Sequence, residues 1–250
     1  SASNIHMTIK DCKRPLRIIA AVFSLIMADI VSAASPDEDF YTWAGFEMTG
    51  SLPAHNSYLE NLKFKLFMQG RFGDNSSQFS QGLIRSGVGY QFSEKITAWL
   101  GYDWVPTGRP LALSPFNDHA VWQQLSWSNS FAFGTLISRT RFEQHFFDVP
   151  GGSDAAHLFR QMFKLSMPVP VVSPRISVVV WNEIFANLKT TDAGVRSGYN
   201  QNRAFAGIGY RISKEMILET GYMNQHINRP HNPRSDQLFH VLSITLLLNF

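Results

Sequence analysis

The sequence predicts an all-β fold, a transmembrane antiparallel up-and-down β-barrel of about 12 strands, with about 10 as the alternative, behind a cleaved signal peptide. Three observations support this prediction. The chain opens with a segment typical of protein export. Apolar and polar residues then alternate through nearly all of the remainder, and the final stretch is a strand that ends on an aromatic residue.

The first segment, residues 1–34, has the three parts of a secretory signal peptide. A cluster of lysines and arginines precedes an apolar run over 18–31, and small residues follow as far as Ala34. We read Met7 as the natural start and expect cleavage after one of the alanines that end the segment. The mature protein is then a single barrel domain over 35–250.

The composition of the chain excludes several classes of function once this segment is removed. The net charge of +3 is largely due to the segment, so it does not indicate binding to nucleic acid. Cys12, the single cysteine, is removed as well, so disulfides, thiolate metal sites and cysteine nucleophiles are not expected. No later run of about 18 apolar residues predicts a helical span, which leaves a barrel as the membrane architecture.

Each predicted strand has an apolar face and a polar face at period two. The last one, 237–250, places Leu242, Ile244, Leu246, Leu248 and Phe250 on one face. The others are 41–52, 61–72, 82–92, 96–104, 121–127, 135–146, 158–167, 176–188, 203–212 and 216–226. This odd count would make the first and last strands run in the same direction, whereas single-chain bacterial barrels usually have an even number. We therefore expect a further strand near 35–52, or one strand fewer.

Two further patterns favour a membrane barrel over a soluble β-sandwich. Aromatic residues lie near strand ends on the apolar face, where the two interfaces of a bilayer would meet them. The connections alternate in length: short turns are predicted at 93–95, 128–130, 168–174 and 213–215, and longer ones at 73–81, 106–119, 148–156, 189–201 and 228–236. This alternation is typical of short periplasmic turns and long outer loops.

The polar faces carry many charges, which cannot lie in hydrocarbon and are expected to line the lumen. One interpretation is a network of ion pairs that fills and stiffens the interior, and the other is an electropositive lumen that receives an anion. Arg139 and Arg141 either line such a path or only neutralise nearby carboxylates. The predicted lumen-lining residues are Glu47, Lys63, Lys65, Arg71, Arg85, Asp103, Arg139, Arg141, Glu143, Arg160, Lys164, Glu183, Arg203, Arg211 and Glu219.

Catalytic and ligand-binding patterns are weak. His226 and His240 lie on apolar faces near predicted outer strand ends, without a serine in an obvious partner position. The sequence 117–119, Asn-Asp-His, is read as part of a loop and is a poor metal motif by itself. Glycines at period two, Gly87 with Gly89 and Gly207 with Gly209, indicate close packing inside strands. No catalytic residue, metal site or cofactor is predicted.

Two stretches near the end of the chain resemble a known family. NRAFAGIGYRIS over 202–213 and ETGYMNQ over 219–225, followed by the strand that ends in Phe250, are similar to the carboxyl-terminal half of the bacterial outer-membrane barrels catalogued as domain of unknown function 2490. Trp43 and the stretch 65–71 are similar to the start of that family. The resemblance implies a barrel in the outer membrane and offers no active-site residues to carry over.

The combined expectation is a monomeric barrel of the bacterial outer membrane, with lipid and lipopolysaccharide around it. The strand that ends in Phe250 would be recognised by the barrel-assembly machinery, as the resemblance implies. A narrow pore or transport protein for a small solute, with an anion favoured by the basic excess, is the first functional hypothesis. An enzyme acting on outer-membrane lipid or lipopolysaccharide, and a structural or surface-interaction barrel, are the alternatives.

Overall fold

The computed structural model describes residues 36–52, 60–150, 154–229 and 236–250. The predicted signal peptide lies outside these ranges. In the described residues the chain forms eleven β-strands that close into one barrel. The strands are β1 (Asp37–Ser51), β2 (Leu62–Gly73), β3 (Gln78–Ser93), β4 (Ile96–Thr107), β5 (Phe116–Phe131), β6 (Gly134–Phe147), β7 (Ala156–Pro168), β8 (Ile176–Asn187), β9 (Gly198–Arg211), β10 (Met216–Ile227) and β11 (Gln237–Asn249).

The barrel closes through a parallel pair of strands. Every strand is antiparallel to its sequence neighbours, but β1 pairs with β11 in parallel, with Thr42 opposite Leu242 and Met48 opposite Leu248. The expectation of about 12 or about 10 strands is therefore wrong, because a parallel closing pair accommodates an odd number and no further strand is needed. Odd-numbered transmembrane barrels also occur.

The connections define two ends of the barrel. Those at 94–95, 132–133, 169–175 and 212–215 lie at the end where β11 finishes, which we call the turn end. Those at 108–115 and 188–197, together with the described residues 148–150, 154–155, 228–229 and 236, lie at the other end, which we call the loop end. Four predicted connections are wrong in detail. The stretch 128–130 belongs to β5, and the links predicted at 73–81, 106–119 and 189–201 are shorter, at 74–77, 108–115 and 188–197.

The outer face of the barrel is apolar and exposed. Val88, Leu100 and Phe163 are 56%, 52% and 55% exposed, as expected for side chains that point away from the lumen. Polar side chains on this face satisfy one another between neighbouring strands. The amides of Gln123 and Gln144 exchange two hydrogen bonds of 3.1 Å, and other amides pair in the same way. The described residues include no helix long and apolar enough to cross a membrane.

The interior contains an apolar cluster on one side and the closely packed ring of Trp122 on the other. An apolar cluster lies on the side of β1 and β8–β11, and Leu111 from the connection 108–115 packs against it. On the opposite side the ring of Trp122 lies over glycines of β3 and β4, and a Cβ on Gly87 would approach its Cη2 to 2.7 Å. The close-packing role predicted for Gly87 and Gly89 is confirmed, since Gly89 faces Trp99 in the same way. The apolar cluster contains Tyr41, Trp43, Val179, Phe205, Met223, Phe239 and Val241.

We expect Gly101→Ala to destabilise the barrel by about 1–3 kcal/mol, because the new Cβ would overlap the ring of Trp122 and the carbonyl oxygen of Ser86. Gly70→Ala is the matched control, since a Cβ there meets only side-chain carbons at 3.5 Å or more. The measurement is urea unfolding of both variants in detergent micelles. Equal midpoints for the two variants would contradict the packing described for Trp122.

Candidate functional site

The charged side chains point into a cavity of about 700 Å³ inside the barrel. It extends from Asn249 and Thr49 near the turn end to Gln201 and Asp118 towards the loop end. Thirteen of the predicted lumen residues line it, namely Glu47, Lys65, Arg71, Arg85, Asp103, Arg139, Glu143, Arg160, Lys164, Glu183, Arg203, Arg211 and Glu219.

The two remaining predicted lumen residues, Arg141 and Lys63, do not line this cavity. Arg141 is 1% exposed and is enclosed behind the cavity wall, where its guanidinium donates to Gln124 and Glu143. Lys63 donates to the hydroxyl of Ser51 near the turn end.

The centre of the charged network is the carboxylate of Glu143, which is 1% exposed. Its Oε1 lies 2.8 Å from Arg160, 3.2 Å from Arg141 and 3.4 Å from Arg85. Its Oε2 lies 3.0 Å from the Nε2 of His145, whose Nδ1 contacts Asp118 at 2.8 Å. Three arginines and His145 therefore share one buried carboxylate. The negative charge of Glu143 offsets the positive charges around it.

A second carboxylate, Asp103, fixes the wall next to that centre. Asp103 lies opposite Arg85 in the register of β3 and β4. The Nε of Arg85 donates hydrogen bonds of 2.8 and 2.9 Å to the two carboxylate oxygens of Asp103. The indole N–H of Trp122 donates to the same carboxylate at 2.6 Å. The guanidinium of Arg141 lies over the Trp122 ring, 4.6 Å from its centroid. The charged groups of this wall are therefore held by hydrogen bonds and ring contacts to one another.

Glu183 neutralises arginines from two other strands. Its Oε1 lies 2.9 Å from Arg139 and 2.9 Å from Arg160. Arg203 lies opposite Glu183 in the register of β8 and β9, yet no salt bridge joins them in the structure. Of the two readings of Arg139 and Arg141, pairing with carboxylates is the one the structure favours: Arg139 binds Glu183.

Other ion pairs cross the lumen rather than following the sheet. Lys164 on β7 contacts Glu219 on β10 at 2.6 Å, and these strands are not neighbours. Lys65 contacts Glu47 at 3.2 Å, but this pair joins the neighbouring strands β2 and β1 and does not cross the lumen. Arg85 on β3 also reaches Glu143 on β6, so the free passage is narrowed at more than one height.

Two arginines differ from the rest because no described carboxylate lies within salt-bridge distance of them. Arg71 donates to Gln69 and Gln81, and its guanidinium lies 3.9 Å from the ring centroid of Trp43. The guanidinium of Arg203 lies 5.0 Å from the ring centroid of Trp43 and 4.7 Å from that of Phe185. The two cations therefore flank one indole and are stabilised by cation–π contacts rather than by a counter-ion.

This arginine pair lies where two cavities meet. A smaller cavity of about 190 Å³, which we call the upper vestibule, continues towards Leu111 at the loop end. Trp43, Arg71 and Arg203, together with Gln81 and Gln201, line both this vestibule and the larger cavity. Both guanidinium groups therefore line the junction of the two cavities, with no described carboxylate within salt-bridge distance.

Sequence reasoning missed the importance of Trp43 and Gln225, which is in register with Arg203. The period-two pattern does place both on inward faces, and that signal was available. The pairing of Asp118 with His145 was also missed, because 117–119 was predicted to be a loop and instead belongs to β5. His145 lies on the inward face of β6, two residues after Glu143, and lines the cavity.

Three further histidines near the loop end have tyrosine or carboxylate partners. His226 contacts Asp236 at 3.2 Å and the hydroxyl of Tyr199 at 3.3 Å. His240 contacts the hydroxyl of Tyr222 at 2.7 Å. His119 bonds to Tyr102, and no group of three or more metal-binding side chains is found among the described residues.

The fold and interior define a class of protein: a closed, single-chain β-barrel with an apolar outer face and a charged, partly filled lumen. The chain belongs to the family described as "Protein of unknown function (DUF2490)", whose model matches residues 40–236. An uncharacterised protein of Methylorubrum extorquens is 28% identical over 238 residues, which cover 95% of this chain and 99% of that relative. No solved structure matches the chain. The family membership expected from the motifs near the end of the chain is thereby confirmed.

Proposed function

We propose that this protein is a barrel of the bacterial outer membrane whose lumen is a narrow pathway for small anions. The observation that carries the proposal is the position of Arg71 and Arg203. Neither has a described carboxylate within salt-bridge distance, and both line the junction of the two cavities. A constriction lined by unneutralised cations favours anions over cations, because selectivity follows the sign of the lining charge.

The outer face supports a location in a bilayer. Large apolar side chains are exposed around the barrel, and an apolar surface of that extent is unfavourable in water. Aromatic side chains lie at both ends of this face, among them Tyr90 and Phe92 near the turn end and Trp104 near the loop end. This arrangement is typical of the aromatic girdles of transmembrane barrels. Lipid and lipopolysaccharide would then be the immediate surroundings.

The closing strand supports assembly as a single-chain barrel. β11 pairs on both sides, and the terminal Phe250 adds a backbone bond of 2.9 Å to Thr49 of β1. Because the described sheet has no free edge, one copy of the chain completes it, which favours a monomer. We propose that the barrel-assembly machinery recognises β11 through its apolar face and Phe250.

The ion pairs across the lumen limit the size of a solute. Lys164 with Glu219, and Arg85 with Glu143, bridge strands that are not neighbours. All four of these side chains line the cavity of about 700 Å³, so the bridges reduce the width of its open space. A small inorganic or organic anion fits such a passage better than an oligosaccharide or a peptide.

We expect the purified barrel to give anion-selective currents in planar bilayers. Under a potassium chloride gradient, the reversal potential should have the sign that indicates a higher permeability for chloride than for potassium. The double variant Arg71→Gln with Arg203→Gln should lose most of this preference, because the junction then carries no unneutralised cation. Lys189→Gln is the matched control, since Lys189 lies in an exposed connection and pairs with Asp154.

Two results would overturn this proposal. One is a folded wild-type barrel that stays electrically silent at every voltage. The other is a double variant with the same reversal potential as the wild type. A change of selectivity in Lys189→Gln as large as that in the double variant would also count against a role for the junction.

A further inference from the structure

We propose that the upper vestibule binds one small hydroxycarboxylate, with the carboxylate held by Arg71, Arg203 and Trp43 and the hydroxyl held by Gln225. This inference rests on the proposed function only for the route by which the ligand enters the lumen. The polar groups of the vestibule that lack partners, its volume and its apolar wall each point to this class of ligand.

The first argument concerns donors without acceptors. Trp43 is 5% exposed and its indole N–H has no hydrogen-bond partner in the structure. The Nε of Arg203 is buried and also lacks an acceptor. Buried donors in native proteins nearly always have partners, so these two donors, one of which belongs to the arginine pair itself, indicate that an anion is the acceptor at this place. A carboxylate supplies two oxygens for a guanidinium and a neighbouring N–H.

The second argument concerns an acceptor without a donor. The side chain of Gln225 is held by a hydrogen bond from its Nε2 to Gln201, which directs the amide. Its Oε1 is buried and receives no hydrogen bond, although Gln225 is only 4% exposed. A bare anion such as chloride or sulfate offers no proton to this oxygen. A ligand that carries both a carboxylate and a hydroxyl satisfies the whole set.

The third argument concerns the shape of the vestibule. Tyr41, Phe239, Leu111 and Ile227 form an apolar wall that faces the polar one. The volume of about 190 Å³ corresponds to roughly six water molecules at about 30 Å³ each. An acid of about three to five carbons fills this space, places its hydrocarbon against the apolar wall and leaves no room for a sugar chain.

The test is isothermal titration calorimetry of the full-length barrel in detergent with lactate as the probe. We expect saturable binding at one site for each barrel. Propanoate lacks the hydroxyl and should bind about 10- to 100-fold more weakly, because the Gln225 oxygen stays unpaired. Lactamide lacks the negative charge, and inorganic phosphate lacks the hydrocarbon, so both should bind more weakly than lactate.

Variants assign the contacts to individual residues. Arg203→Gln should weaken lactate binding about 10- to 100-fold. Gln225→Met should abolish the difference between lactate and propanoate. Trp43→Phe keeps a ring between the two arginines and removes only the N–H donor, so it should weaken both acids equally. Arg211→Gln is the control, because Arg211 lines the larger cavity but not the vestibule.

The outcomes separate this site from the proposed pore. Binding of lactate by a barrel that is silent in bilayers would remove the pore and retain the site. Anion currents without lactate binding at millimolar concentration would overturn the site, with water as the occupant of the vestibule, and would retain the pore. Equal affinities for lactate and propanoate, or unchanged binding in Arg203→Gln, would also overturn it.

Discussion

Glu143→Gln should lower the free energy of unfolding by about 3–5 kcal/mol, which is the usual cost of breaking a buried ion pair by removing one partner. The glutamine keeps the shape of the side chain and removes its charge. Arg85, Arg141 and Arg160 then face one another across a buried space without the carboxylate that they share. The measurement is equilibrium unfolding in urea, followed by tryptophan fluorescence in micelles or lipid vesicles.

An exposed ion pair provides the control for this change. Lys189 and Asp154 lie 2.9 Å apart, with side chains that are 52% and 41% exposed. Lys189→Gln removes this pair and should cost less than about 1 kcal/mol, because water and salt screen exposed charges. A loss in Glu143→Gln as small as that in Lys189→Gln would mean that the arginines around Glu143 do not depend on it.

The sequence predicts the strands well, because a one-sided apolar face has to repeat at period two. All ten stretches before the last one correspond to observed strands. β5 is the main difference: it begins at Phe116 and ends at Phe131, whereas alternation is clear only over 121–127. At the loop end of β5, polar residues such as Asp118 point inwards. The sequence of that part of β5 is therefore as polar as that of a connection.

The number of strands could not be predicted from alternation alone. An even number was expected because an all-antiparallel closure requires it, and the parallel pairing of β1 with β11 removes that requirement. The closing pair depends on which strands meet after the sheet curls round. That contact joins residues at opposite ends of the chain, such as Thr42 and Leu242, and leaves no local signal in either strand.

The sequence predicts which charged side chains point into the lumen, but it does not predict which of them form ion pairs with one another. Period two is sufficient to point Lys164 and Glu219 inwards, but their contact spans strands that are not neighbours and depends on the tilt and diameter of the barrel. The same limit hides the most informative feature of the lumen. Arg71 and Arg203 have the same sequence pattern as the paired arginines, and only the folded interior reveals that no described carboxylate lies within salt-bridge distance of them.

Leu66→Arg and Ile208→Arg should each block insertion into a bilayer, because both side chains belong to the outer face and Ile208 is 49% exposed. A guanidinium on the lipid face costs about 2–4 kcal/mol near the midplane of the membrane. The measurement is heat-modifiable migration in gels after refolding into phospholipid vesicles. We expect a folded band for the wild type and a much weaker one for each arginine variant.

Three control variants separate the effect of the lipid from simple damage to the strand. Leu66→Phe and Ile208→Leu keep the outer face apolar and should fold like the wild type. Lys65→Gln changes the neighbouring inward residue, removes its contact with Glu47 and should still insert. In water, by contrast, an exposed arginine on this face is a mild surface change of about 0.5 kcal/mol or less. Efficient folding of both arginine variants would therefore contradict the membrane location, because these substitutions are costly only where the outer face is in contact with lipid.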